Sequence, residues 1–240
     1  MTRSTRTVLV TGGSSGIGRA VAARFAADGD RVVITGRNAA TVASAAAELG
    51  VEGAVCDAAD PGRAAALAAR FTTVDVVVNA AGGLPGAPAD SPALAALLAQ
   101  WQDSLAQNLL TAVVTTGSVR DKLAPGGAVI SIGSIGAERR GGSYGAAKAA
   151  LAAWNAFLSA ELAPGGVTCN VISAGFVEGT GFFGGALTKA RYADLVAETH
   201  NKRPGTVDDI AGTAHFLASP AARHITGQTL HVNGGAFTTR

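Results

Sequence analysis

Short apolar runs with little polar alternation recur along this chain, each followed by a stretch of helical length. The runs are VLV at 8–10, RVVIT at 31–35, residues 53–56, VDVVV at 74–78, AVISI at 128–132, VTCNVI at 167–172 and residues 229–232. A strand that is apolar on both faces is buried on both faces, which is the habit of parallel sheets covered by helices. Strands and helices in strict alternation predict a single doubly wound α/β sheet, Rossmann-type, of about seven parallel strands with helices on both sides. The 240 residues suit one such domain, spanning 1–240.

The local signals agree with that rhythm. Asp60-Pro61 supplies an N-cap and a first-turn proline for a helix running to Arg70. Thr206 and Asp209 form a T-x-x-D start for a helix over 207–218. Pro85, Pro88 and Pro92 hold a loop ahead of helical sequence over 93–123, where polar Asn108 sits among apolar neighbours and needs buried partners.

The first apolar run breaks into TGGSSGIG at 11–18 before a helical pattern begins. A strand, a glycine turn and a helix start, in that order, let a backbone approach a pyrophosphate whose charge settles on free N–H groups. Gly12, Gly16 and Gly18 leave that space, with a spacing that differs from G-x-G-x-x-G. At the end of the second strand stand Gly36 and Arg37, with no acid over 35–38. A carboxylate there would bind a ribose 2′-hydroxyl and an arginine accommodates a 2′-phosphate, so the sequence reads NADP(H) over NAD. Asp57, after the third strand, contacts adenine or caps a turn. Asn79-Ala80-Ala81-Gly82 would let a cofactor pass close over the end of the fourth.

Tyr144 and Lys148 stand four residues apart in GGSYGAAKAALAAW, 141–154, on one face of a helix start. An ammonium near a phenol favours the phenolate, so the pair either makes a tyrosine of lowered pKa that exchanges protons near neutral pH or, as the pair alone reads more simply, falls together by chance on a surface helix. Residues 175–185 mix five glycines with Phe176, Phe182 and Phe183. That segment is a lid for an apolar ligand or a surface loop tucked down by its phenylalanines.

Other function classes find no support. A net charge of +2 with scattered Lys and Arg offers no field for nucleic acid. Cys56 and Cys169 are isolated, and no metal-ligand spacing occurs. Apolar residues reach 48%, yet no run is long enough to span a bilayer. The first residues meet a glycine turn after a very short apolar stretch, which fits a strand and not a secretory signal, so a cytoplasmic location is expected.

Together TGGSSGIG, NAAG at 79–82, Asn108, Ser134, YGAAK at 144–148, SAGFVEGT at 173–180 and TGQTLHVNGG resemble, over nearly the whole chain, the short-chain dehydrogenase/reductase family. The resemblance implies a catalytic set: Tyr144 as acid/base, Lys148 tuning it and holding the nicotinamide ribose, Ser134 binding the substrate oxygen, and Asn108 holding a relay water. It implies cofactor contacts at Gly12, Ser14, Ser15, Gly16, Ile17 and Gly18, at Arg37, Asp57, Asn79, Ala80 and Gly82, and at Tyr144, Lys148, Gly175, Val177 and Thr180.

The sequence departs from the family pattern at three places. Ser134 is only ten residues before Tyr144, closer than usual, and Ser131 has the family's count but lies inside a strand. The shortened loop carries Glu138, Arg139 and Arg140, and the two arginines either meet an acidic group on the substrate or are solvated. Ala174 replaces a usual proline, and Ser15 stands where NADP-preferring relatives often carry a basic residue.

The nearest resemblance is to 3-oxoacyl-carrier-protein reductases and related ketone reductases. Pro125 and Gly165 stand where the former carry carrier-docking arginines. The expectation is therefore NADPH-dependent reduction of a small ketone or aldehyde, by a homo-oligomer that the resemblance makes a tetramer. NAD(P)-dependent alcohol oxidation, carrier-bound 3-oxoacyl reduction and a non-catalytic NADP-binding sensor are the alternatives.

Overall fold

In a computed structural model, which describes residues 5–85, 92–139 and 141–239, the chain forms the expected doubly wound sheet. Its strands are β1 (Thr7–Thr11), β2 (Arg31–Gly36), β3 (Glu52–Val55), β4 (Val74–Asn79), β5 (Leu123–Ser134), β6 (Thr168–Ala174) and β7 (Thr229–Val232). They lie in the order β3-β2-β1-β4-β5-β6-β7, every pair parallel. The order reverses between β1 and β4, and a crevice at the carboxyl ends of such strands is where open α/β sheets bind ligands.

Alternate residues of β1, β2, β4, β5 and β6 feed two separate cores. Val8, Val10, Ile34, Ile130 and Ile172 pack on α1 (Gly16–Ala27), on α2 (Ala39–Leu49) and on the helix Val207–Leu217. Leu9, Val33, Val77, Val129 and Cys169 pack on the opposite side with Leu67 and Leu158, from α3 (Pro61–Ala68) and the helix Gly142–Leu162. This double burial is why the strands read as continuous apolar runs.

The caps are where the sequence puts them. Asp60 accepts from the Arg63 N–H, and Thr206 and Asp209 cap each other reciprocally.

The differences lie in the middle of the chain. The stretch 93–123 is not one helix: α4 (Ala93–Leu105) passes through a π-turn (Ala106–Leu110) into α5 (Thr111–Val119), ending in a tight turn (Arg120–Lys122) before β5. β5 is longer than residues 128–132, because an irregular register against β4 between Val74 and Val76 lets Leu123 pair as well. A helix not expected from the sequence, Lys189–Ala197, follows the glycine-rich segment; Thr188 caps it by accepting from the Arg191 N–H. Pro88 and Arg140 lie outside the described residues. Among those described, no helix is long and apolar enough to cross a membrane.

Candidate active site

β1, β4, β5 and β6 end around a cavity of about 630 Å³. Its floor depends on glycine. At Gly12, φ is +65° and a Cβ would lie 2.8 Å from the Ala80 carbonyl oxygen; at Gly18 a Cβ would lie 2.3 Å from the Gly12 carbonyl oxygen. Thr11, whose role the sequence did not suggest, locks this floor: its Oγ1 accepts from the N–H groups of Ala80 and Ala81 at 3.2 Å each. Ser15, the N-cap of α1, makes no side-chain cap bond, so first-turn N–H groups stand ready for an anion. That glycine floor and open helix start fit a dinucleotide's pyrophosphate.

Ser15, Gly16 and Ile17 line the cavity with Ala80 and Gly82 on one side, and Gly175, Val177 and Thr180 on another. Four further expected residues stand apart. Ser14 lies against Gly36, where a Cβ would come 3.1 Å from its Oγ. Arg37 is exposed beyond β2 with no partner among the described residues. Asp57 accepts from the Ala59 N–H at 3.1 Å, which is the turn-capping alternative. Asn79 does not line the cavity, and its side chain is buried. It donates to Thr116 (3.0 Å) and Ser131 (3.4 Å), tying β4 to α5 and β5.

The helix Gly142–Leu162, α6 below, brings Tyr144 and Lys148 to the cavity wall. Ser134 faces them from the end of β5, with its Oγ accepting from the Gly136 N–H at 3.0 Å. Ser131 is fully buried in the strand, so Ser134 is the serine at the site. Asn108 does not line the cavity but holds the turn beside it. It accepts from the Gly83 N–H (3.0 Å), donates to the Gly83 carbonyl (2.9 Å) and donates to the Ser104 carbonyl (3.1 Å). The π-turn explains how a helical residue reaches that far, since such insertions re-aim side chains at functional sites. A Cβ on Gly82 would lie 2.7 Å from Asn108 Oδ1 and 3.2 Å from Lys148 Nζ, so these three groups meet at one point.

The electrostatics differ from the expectation in direction. Burial pushes the Tyr144 phenol up, and a hydrogen bond with Ser134 offsets part of the rise. Burial also holds the Lys148 ammonium down at about 8. Burial outweighs the nearby lysine, whose Nζ donates to the Ile132 carbonyl at 2.8 Å and stands 5.9 Å from the centroid of the tyrosine ring. Depth in the protein decides both shifts, and depth is what a four-residue spacing leaves open.

The outer wall comes from residues distant in sequence. Phe182 sets its ring 5.5 Å from that of Tyr144, and Phe183 and Phe176 continue the aromatic chain at 5.2 and 6.0 Å. The phenylalanines therefore tuck the segment down and line the cavity at once. Arg139 is neither solvated nor free for a substrate. It donates to Glu198, just past the helix Lys189–Ala197, and to the Ala236 carbonyl at 2.7 Å. Arg191 approaches the same carboxylate at 3.6 Å. No sequence signal pairs Arg139 with a glutamate 59 residues away.

The fold and this constellation define an oxidoreductase that binds a nicotinamide cofactor, and the comparisons identify the family. A family model described as enoyl-(acyl carrier protein) reductase matches residues 12–237. The 3-oxoacyl-[acyl-carrier-protein] reductase FabG of Escherichia coli is 35% identical over 240 residues, covering 95% of this chain and 96% of that one. A crystal structure of a short-chain dehydrogenase/reductase from Brucella melitensis superposes with a TM-score of 0.88 at 31% identity, covering 98% and 97%. A blue fluorescent protein from a metagenomic library, in complex with NADPH, superposes with a TM-score of 0.83 at 31% identity, covering 97% and 98%. The chain belongs to the short-chain dehydrogenase/reductase family, close to its 3-oxoacyl-carrier-protein reductase-like members.

Proposed function

We propose that the protein reduces a ketone or aldehyde to an alcohol with NADPH. The observation that carries this reading is the meeting of Ser134, Tyr144 and Lys148 on the wall of the same cavity that holds the glycine floor and the open helix start. When bound, the nicotinamide cofactor supplies the hydride that goes to the carbonyl carbon. Tyr144 gives its phenolic proton to the carbonyl oxygen. Ser134 donates a hydrogen bond to that same oxygen, where negative charge develops. Lys148 holds positive charge beside them and would bind the nicotinamide ribose, and Asn108 fixes the turn at Gly83 that borders the lysine. The buried phenol stays protonated at neutral pH and so holds the proton that reduction requires.

The choice of NADPH rests on Arg37, exposed and unpartnered among the described residues at the end of β2, with Ser14 beside Gly36 and no carboxylate over 35–38. The NADPH complex of the metagenomic neighbour agrees. Replacing Arg37 by Asp puts a like charge against a 2′-phosphate and should weaken NADPH binding about 100-fold. NADH affinity should change little. Titration of both nucleotides by fluorescence reads this directly, and an unchanged NADPH affinity would remove the arginine from the site.

A second substrate reading, a 3-oxoacyl thioester, draws support from the Escherichia coli relative and uses the same carbonyl chemistry. Assembly with copies of itself, to a tetramer, is also proposed. Leu94, Leu97, Leu98 and Trp101 expose an apolar stripe along α4, and Phe157 on α6 is 62% exposed. Sedimentation should give the tetramer, and a monomer at micromolar concentration would refute it.

A further inference from the structure

We infer that Phe182 selects the substrate, and that it selects ketones with an aromatic group directly beside the carbonyl over extended aliphatic ones. The inference rests on the carbonyl-reductase reading and goes beyond it, to the group that flanks the reacting carbon.

A carbonyl whose oxygen reaches the Tyr144 hydroxyl must set one substituent near whatever packs against the tyrosine ring. That neighbour is Phe182, 5.5 Å away between centroids and inclined at 60°. Behind it Phe183 stands edge-on at 90°, and Phe176 follows. Such rings offer a flat substituent edge-to-face contacts that a flexible alkyl chain cannot match, and ordering an alkyl chain costs rotamer entropy as well.

The charges on the same wall are already spent on one another. Arg139 is committed to Glu198 and the Ala236 carbonyl, and Arg191 leans on the same carboxylate. An anionic substituent would have to break these contacts, whereas an uncharged ring leaves them intact.

The segment bearing Phe182 is held by a tight glycine turn. Gly181 and Gly184 have φ of +67° and +54°, and the Gly184 N–H closes a turn on the Gly181 carbonyl at 3.0 Å. The Phe182 N–H donates to Thr180 Oγ1 at 3.4 Å.

The test compares acetophenone with the straight-chain methyl ketone of equal carbon count and with acetoacetyl-coenzyme A, each with NADPH. The wild type should favour acetophenone over the straight-chain ketone by at least ~10-fold in kcat/KM. Phe182→Ala should collapse that ratio about 10-fold, mainly through the acetophenone KM, and Phe182→Tyr should retain it. NADPH affinity serves as the control for folding in every variant. Turnover of carbonyls with a ratio that Phe182→Ala leaves unchanged, or a preference for the thioester, overturns the inference alone. Tight NADPH binding with no carbonyl reduced at all overturns the reductase reading, and this inference falls with it.

Discussion

Tyr144→Phe should lower kcat for carbonyl reduction by about 10³-fold or more while leaving NADPH affinity within a few-fold of wild type. The substitution removes one oxygen and keeps the ring, so the contact with Phe182 survives and the cavity keeps its shape. What disappears is the phenolic proton on which the proposed reduction draws, together with the hydrogen bond to Ser134. Ser134 cannot substitute for it, because an aliphatic hydroxyl gives up its proton far less readily than a phenol.

The wild-type pH dependence follows from the same environment. With the phenol raised by burial, reduction stays supplied with its proton through neutral pH and declines only on the alkaline side. The Lys148 charge is lost as pH rises through about 8, so kcat/KM, which reports the free enzyme, should begin to fall there. A single-turnover measurement of NADPH oxidation separates chemistry from product release. A phenylalanine variant within tenfold of wild type would show that the proton comes from elsewhere.

Much of this was legible in the sequence because the relevant signals are local or periodic. Parallel strands buried on both faces must be apolar throughout, so the sheet announced itself. The glycines at 12 and 18 fill places where no side chain fits, and that constraint is visible in the letters. The residues that proved hard to read are those whose role depends on tertiary distance. Asn79 belongs to a motif at a strand end, yet its side chain turns inward to Thr116 and Ser131. The π-turn around Asn108 has no period of its own to detect. The helix Lys189–Ala197 is polar and follows a run of glycines that masks its start. Glu198 acquires its meaning only from Arg139 and Arg191 arriving in space. The shift at Tyr144 went the other way from the sequence expectation because spacing reports that a lysine is near, not that both groups are buried.

That burial has a cost in stability which a second substitution should expose. The Lys148 side chain sits in the core of the site, its ammonium lowered from 10.5 to about 8 by desolvation, with the Ile132 carbonyl accepting one of its hydrogen bonds. A lysine whose pKa is lower folded than unfolded destabilises the fold wherever it is charged in both states, here below pH 8. Between about 8 and 10.5 the folded protein sheds the proton while the unfolded chain keeps it, so stability rises with pH across that window. The cost at neutral pH is about 3 kcal/mol. Lys148→Met keeps the stem's length, removes the charge and forfeits the bond to Ile132, worth about 1 kcal/mol. The variant, nucleotide-free at pH 7, should therefore be more stable than wild type by about 2 kcal/mol while losing at least ~100-fold in kcat. Its advantage should shrink steadily as pH is raised from 8 towards 10.5, because only the wild type changes charge at this position. Urea unfolding across that range measures both quantities, and a variant that is less stable at pH 7, or whose advantage ignores pH, would show that the lysine is not held against a desolvation penalty.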